Sequence, residues 1–290
     1  MRCAVVGLGN MGAGIAAKLA QAGLLGAVWD SREAALAPFS DCKAGIRAVA
    51  ECNILFFAVP GSAQISDLFE TGILDGPPGR VMVDLTTSDP RTTKDLAARA
   101  QACGAAYLDA GMSGGAAGAQ SGSLTLMIGG SDDALARAQP ALDQIAAQIF
   151  HVGPAGAGHT MKLVHNMICH TIFLATTEGC RAATAAGIPL ERAVEVLNAG
   201  NARSFVSERR FPDHIVSGTY DGRSVAGNLA KDLDMARALF ADLDQASPYV
   251  NLTAALLAQA GPLGMMTQDF TRLYLAYDQL VGQLDTPSAQ

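Results

Sequence analysis

Gly7-Leu8-Gly9-Asn10-Met11-Gly12, with Asp30 about 20 positions further on, is the first group whose types and spacing suit chemistry. In a dinucleotide-binding turn the first glycine makes the tight bend and the second lets backbone approach a pyrophosphate. The third lets helix pack on strand, and the helix N-terminus then faces the phosphates. Asp30 would accept hydrogen bonds from the adenosine ribose hydroxyls and repel a 2′-phosphate, which favours NAD over NADP. Arg32 reads two ways: a guanidinium that neutralises a 2′-phosphate and admits NADP, or a solvated loop arginine.

The second group is Asp109-Ala110-Gly111-Met112-Ser113-Gly114-Gly115, continuing to Leu124. A Ser-Gly-Gly turn presents one hydroxyl and unobstructed backbone N–H groups, which suits a carboxylate; the same residues also read as a flexible loop. The third is Gly156-Ala157-Gly158-His159-Thr160-Met161-Lys162-Leu163-Val164-His165-Asn166. Lys162 and Asn166 are four apart and share a helix face. Among apolar neighbours the charged form of Lys162 is disfavoured, which suits a proton donor at neutral pH; the alternative is a surface lysine. His165 and His170 read as packing or interface residues. Lys231-Asp232-Leu233, taken alone, is an ordinary helix surface. No cysteine grouping or paired His/carboxylate cluster suggests a metal.

The elements that must hold these groups alternate. RCAVV (2–6), AVWD (27–30), ILFFAVP (54–60), RVMVDLT (80–86), AAYLDA (105–110), LTLMIGG (124–130) and IFHVG (149–153) read as strands with helices between them. Apolar strands alternating with helices imply an α/β, doubly wound parallel sheet covered on both faces. Beyond Gly153-Pro154 helical spacing takes over. The spacing predicts a long helix from about Gly158 to Ala186, stopped by Gly187-Ile188-Pro189, then helices over 190–200, 228–242, 248–259 and 268–283. Two domains follow: a nucleotide-binding sheet domain over 1–155 and an all-helical domain over 156–290 for substrate and dimerisation. The apolar middle of the long helix covers more than one face, which implies burial between domains or between subunits. The last six residues, DTPSAQ, are expected to fray.

Half the residues are hydrophobic and 16% are charged, which excludes a disordered chain; the net charge of −7 argues against nucleic-acid or anionic-lipid partners. The apolar start resembles an export signal, but Asn10, Lys18 and Gln21 interrupt it. Cys3, Cys42, Cys52, Cys103, Cys169 and Cys180 follow no pairing pattern. They read as reduced thiols of a cytoplasmic protein.

Taken in order and at these separations, the segments resemble the β-hydroxyacid dehydrogenase family, over nearly the whole chain. GLGNMG is similar to the family's cofactor turn, DAGMSGG with GSLTLMIGG to its substrate loop, GAGHTMKLVHN to its catalytic helix, and AKDL to its C-terminal cofactor-contacting segment. The resemblance implies a Rossmann domain joined by a long helix to an all-α domain, in a homodimer or homotetramer. It implies NAD or NADP as cofactor and a small 3-hydroxy acid, interconverted with its semialdehyde or oxo form, as substrate. By the same resemblance Lys162 is the general acid/base with Asn166 as partner, and Ser113, Gly114 and Gly115 hold the substrate. Val59, Pro60, Gln64 and Thr87 line the nicotinamide side, and Lys231 reaches the cofactor. Three departures stand out. Gly111-Met112 replaces the usual Pro-Val, His165 replaces the first Asn of the usual KxxNN, and WDSR matches neither the plain NAD form nor the Asn-Arg-Thr form of NADP members. Two rivals share the fold: an imine reductase, which generally lacks the lysine, and a non-catalytic dinucleotide-binding module that reads a protein partner.

Overall fold

The structure, a computed structural model, describes residues 1–284; DTPSAQ lies outside them. The chain divides into two compact units, Met1–Lys162 and the residues from Leu163 on.

The first unit is built on seven strands: β1 (Cys3–Val6), β2 (Leu25–Trp29), β3 (Ile54–Phe57), β4 (Val81–Asp84), β5 (Ala106–Ser113), β6 (Leu124–Gly129) and β7 (Ala146–Gly153). They form one sheet in the order β2-β1-β3-β4-β5-β6-β7. Its helices are α1 (Asn10–Gln21), α2 (Glu33–Leu36), α3 (Ile46–Ala50), α4 (Ser62–Phe69), α5 (Pro90–Ala102), α6 (Gly115–Ser121) and α7 (Asp132–Leu142). β1, β3 and β4 are buried at every position, as a parallel sheet covered on both faces requires. Alternation splits their side chains between two cores. Val5, Phe56 and Val83 join Ile15 and Leu19 of α1, while Val6, Phe57 and Met82 join Ile65 of α4 and Leu96 of α5. Each fully buried Val, Ile, Leu or Phe contributes about 1.5–3 kcal/mol.

The sheet is parallel as expected, except where β5 pairs antiparallel with β6. A parallel return needs a crossover of roughly a dozen residues or more. Only the short α6 lies between β5 and β6, too short to carry the chain back along β5. β5 also runs further than its apolar core suggests, through Ser113, and α6 follows from Gly115, so the segment that also read as a flexible loop is strand and then helix.

α8 (Ala157–Ala185) begins in the first unit and continues into the second. There follow α9 (Leu190–Ala199), a π-helix (Val206–Val216), α10 (Ala226–Asp242), α11 (Pro248–Ala258), a 3₁₀ turn (Phe270–Tyr274) and α12 (Tyr277–Leu284). The π-helix is absent from the sequence reading, and the helix expected over 268–283 is two pieces. Phe173, Phe211 and Phe270 form the aromatic centre of this unit, with Phe173 and Phe270 ring centroids 5.1 Å apart in an edge contact.

Candidate active site

Four strands of the first unit, β2, β1, β3 and β4, end side by side, and β5 runs on past them to Ser113. Val6 pairs with Trp29 and Phe57, Phe57 with Asp84, and Asp84 with Asp109. The residues just past them, from Gly7 and Asp30 to Ala58 and Leu85, therefore form a row at one edge. β1 sits between β2 and β3, so the order in which strands are added reverses there, and ligands of open α/β sheets bind beyond the strand ends at such a point.

The turn after β1 has the shape that its glycines demand. Gly7 has φ +91°, and a Cβ on it would lie 2.6 Å from the Ala58 carbonyl oxygen; a Cβ on Gly12 would lie 1.9 Å from the Gly7 oxygen. Gly9 is different, because a Cβ there would meet nothing within 4 Å. Its bare backbone at the start of α1 faces open space, which fits a dinucleotide pyrophosphate. Asn10 and Met11 begin α1, and Val59 stands beside Gly7, its Cγ1 3.0 Å from where a Gly7 Cβ would be. Pro60 and Gln64 are exposed, and Thr87 is half-buried between β4 and α5.

Asp30 follows β2 and is 8% exposed. Its carboxylate accepts from the Leu8 amide at 2.6 Å, the Arg32 amide at 2.8 Å, and Arg32 Nε and Nη2 at 3.1 and 3.3 Å. Burial pushes the carboxyl up, but these hydrogen bonds and the Arg32 charge outweigh it and hold it below the usual range. Arg32 is an exposed loop residue paired with Asp30.

Ser113 ends β5, half-buried, and Gly114 (φ +120°) and Gly115 (φ +61°) turn the chain into α6 through left-handed backbone that favours glycine. Lys162 is 9% exposed, which overturns the surface-lysine alternative. A Cβ on Gly111 would fall 2.5 Å from Lys162 Cβ, so at this departure from the usual proline strand and lysine stand closer than a side chain on the strand would allow.

In the second unit Asn166, one turn after Lys162 on α8, is buried and donates from Nδ2 to Asp232 Oδ2 at 2.7 Å. His165 Nδ1 lies 3.1 Å from Asn166 Oδ1. Lys231 is exposed, its Nζ 3.8 Å from Asp232 Oδ1. Asp232 is a residue that sequence reasoning passed over. It sits inside the quoted Lys-Asp-Leu, but nothing in the sequence ties it to an asparagine 66 positions earlier. Asp109 is another: fully buried, it accepts from the Gly156 and His159 amides, both at 2.8 Å.

Residues 2–153 match the family described as the NAD binding domain of 6-phosphogluconate dehydrogenase, and residues 156–277 the NAD-binding family of NADP-dependent 3-hydroxyisobutyrate dehydrogenase. An L-threonate dehydrogenase of Escherichia coli is 31% identical over 86% of this chain and 86% of its own. The chain belongs to the β-hydroxyacid dehydrogenase family. An NAD-dependent L-serine dehydrogenase of Pseudomonas aeruginosa is 29% identical over 97% of this chain and 99% of its own. The crystal structure of a 3-hydroxyisobutyrate dehydrogenase from Salmonella typhimurium superposes with a TM-score of 0.84 at 28% identity, covering 95% of this chain and 99% of that one. This β-hydroxyacid dehydrogenase is an NAD(P)-dependent oxidoreductase that acts on the CH–OH group of a small hydroxy acid. Among its described residues no helix is long and apolar enough to cross a membrane.

Proposed function

We propose that the enzyme interconverts a small 3-hydroxy acid and its semialdehyde or oxo acid, with Lys162 as general acid/base. The burial of Lys162 against β5, one helical turn before Asn166, carries this reading. Bound NAD(P) supplies or accepts the hydride at its nicotinamide. In reduction the Lys162 ammonium gives its proton to the developing alkoxide oxygen; in oxidation the neutral amine takes the hydroxyl proton. Asn166, its amide fixed by Asp232, orients Lys162 and the substrate oxygen. Ser113 and the Gly114 and Gly115 amides hold the carboxylate. The glycine turn, Asp30, Arg32, Val59, Pro60, Gln64, Thr87 and Lys231 serve the dinucleotide, with NAD preferred. The enzyme works in the cytoplasm as a homodimer or homotetramer.

The relatives named for L-serine, L-threonate and 3-hydroxyisobutyrate set the substrate panel. Absorbance at 340 nm with both cofactors identifies the best substrate. Lys162→Ala is then expected to lower kcat by about 10²–10⁴ with the NADH Kd unchanged. Retention of more than a tenth of the wild-type kcat would remove Lys162 from proton transfer.

A further inference from the structure

We propose that the Asp109-Ala110-Gly111 stretch of β5 is the positioning element for Lys162: Asp109 fixes the turn that carries the lysine, and Gly111 sets how closely it stands to the strand. The proposal rests on the reading of Lys162 as the proton-transfer group.

Asp109 is fully buried, and each of its carboxylate oxygens takes one amide: Oδ1 from Gly156 and Oδ2 from His159. These amides open α8, where a helix has no partners of its own and its dipole favours a negative charge. A capping residue normally lies next to its helix in sequence; here it comes from a strand, 47 and 50 positions away. The carboxylate therefore ties β5 to the first turn of α8. Lys162 follows His159 by three residues. The same turn is held from another side by His159 Nδ1, 2.7 Å from Thr93 Oγ1 in a buried contact.

Strand and helix also meet without intervening side chains. A Cβ on Gly158 would fall 2.3 Å from the Asp109 carbonyl oxygen, and one on Gly129 2.6 Å from Asp109 Oδ1. Gly111 belongs to the same arrangement. It is outside the left-handed region that would call for glycine; what the glycine gives here is closeness, since the missing Cβ is where Lys162 Cβ approaches. That neighbour is the root of the side chain and has no freedom to swing away. Alternation along β5 puts residues 109, 111 and 113 on one face. One strand face thus carries the carboxylate that caps the helix, the gap that admits the lysine, and Ser113, which the proposed function assigns to the substrate.

The test uses the full chain, NADH and the best substrate of the panel above. Gly111→Ala and Asp109→Asn are measured beside Gly179→Ala, a position on α8 where a Cβ meets nothing within 4 Å. A misplacement of about 1 Å can cost about 100-fold in rate. Gly111→Ala and Asp109→Asn should each lower kcat per NADH-binding site by about that factor, and shift the pH at which kcat is half-maximal. The NADH Kd and substrate KM should stay within threefold, and Gly179→Ala should match the wild type. Faster amide hydrogen exchange over residues 156–162 in Asp109→Asn should accompany the loss. If Asp109→Asn does not fold, Gly111→Ala decides. The proposal fails if Gly111→Ala keeps kcat within threefold, or if these variants lose only thermal stability with kcat per site and pH profile intact. A fully active Lys162→Ala would instead defeat the reading of Lys162 itself. An inactive Lys162→Ala beside a fully active Gly111→Ala would defeat the positioning alone.

Discussion

The Asp30 carboxylate accepts the Leu8 amide and both the amide and guanidinium of Arg32, so the two residues proposed to bear on cofactor choice act as a pair. A 2′-phosphate would have to draw Arg32 away from Asp30 and then sit beside an uncompensated carboxylate. A ribose diol carries no charge and needs only an acceptor. NAD should therefore bind more tightly than NADP in fluorescence titrations, and Arg32→Ala should widen the ratio of the two Kd values at least tenfold, the equivalent of about 1.4 kcal/mol. A wild-type preference for NADP that disappears in Arg32→Ala would show that the guanidinium prevails. The pair also has a pH signature. Burial alone would raise the Asp30 carboxyl, but the hydrogen bonds from Arg32 and Leu8 leave it lowered. A carboxyl with a lowered folded value stabilises the protein fully above its unfolded value, about 3.9, and that stabilisation is lost as pH falls through the folded value. Below about pH 4 the wild type should lose stability towards that of Asp30→Asn, so their melting temperatures should converge in acid.

At the scale of elements, the β1–turn–α1 unit separates what a glycine does for the fold from what it does for a ligand. Gly9→Ala should melt with the wild type, because a Cβ there meets nothing within 4 Å, yet it should raise the NADH Kd at least tenfold by occupying the space proposed for pyrophosphate. Gly12→Ala should melt lower, since its Cβ would lie 1.9 Å from the Gly7 oxygen. Equal melting temperatures for the two variants would contradict this division. The Gly7–Gly12 turn and the first five strands were legible because their signals are local: short apolar runs, then glycines at fixed spacing. β5 beyond Ala110 was not, since Gly111 and Ser113 carry no strand propensity and stay extended only by pairing with Met127 and Thr125 of β6. The π-helix over Val206–Val216 escaped because Ser207, Glu208, Arg209, Arg210 and Pro212 break any 3.6-residue apolar stripe. Asp232 and Asp109 act on residues 66 and 47 positions away. Such contacts exist only once the chain has folded.

At the scale of the whole molecule, the long helix α8 bears on the proposed oligomer. Its apolar residues point in several directions, yet most serve the second unit itself: Phe173 and Leu174 are buried in that core, and Met167 and Ile172 pack against it. Ile168 remains 48% exposed, and on α11 Tyr249 and Leu252 are 70% and 56% exposed. A hydrogen bond between Thr171 and Thr253, 2.8 Å, links these two helices. Ile168 is one turn before Thr171, Tyr249 one turn before Thr253, and Leu252 its neighbour, so both of these packed helices carry exposed apolar side chains near the bond. Exposed apolar side chains gathered on one surface mark association sites on soluble proteins, and each large apolar side chain that becomes fully buried there contributes about 1.5–3 kcal/mol. A second copy of the chain would cover these side chains without a further partner, since a two-fold interface brings the same surface from both copies. Light scattering at micromolar concentration should therefore give about twice or four times the 29.8 kDa chain mass. Ile168→Glu combined with Tyr249→Ser should shift the distribution towards single chains. Circular dichroism should remain that of the folded wild type, because neither side chain belongs to the core. A wild type that scatters as a single chain would leave these exposed side chains unexplained and would end the oligomer proposal. A double variant that stays fully associated would move the interface to another surface.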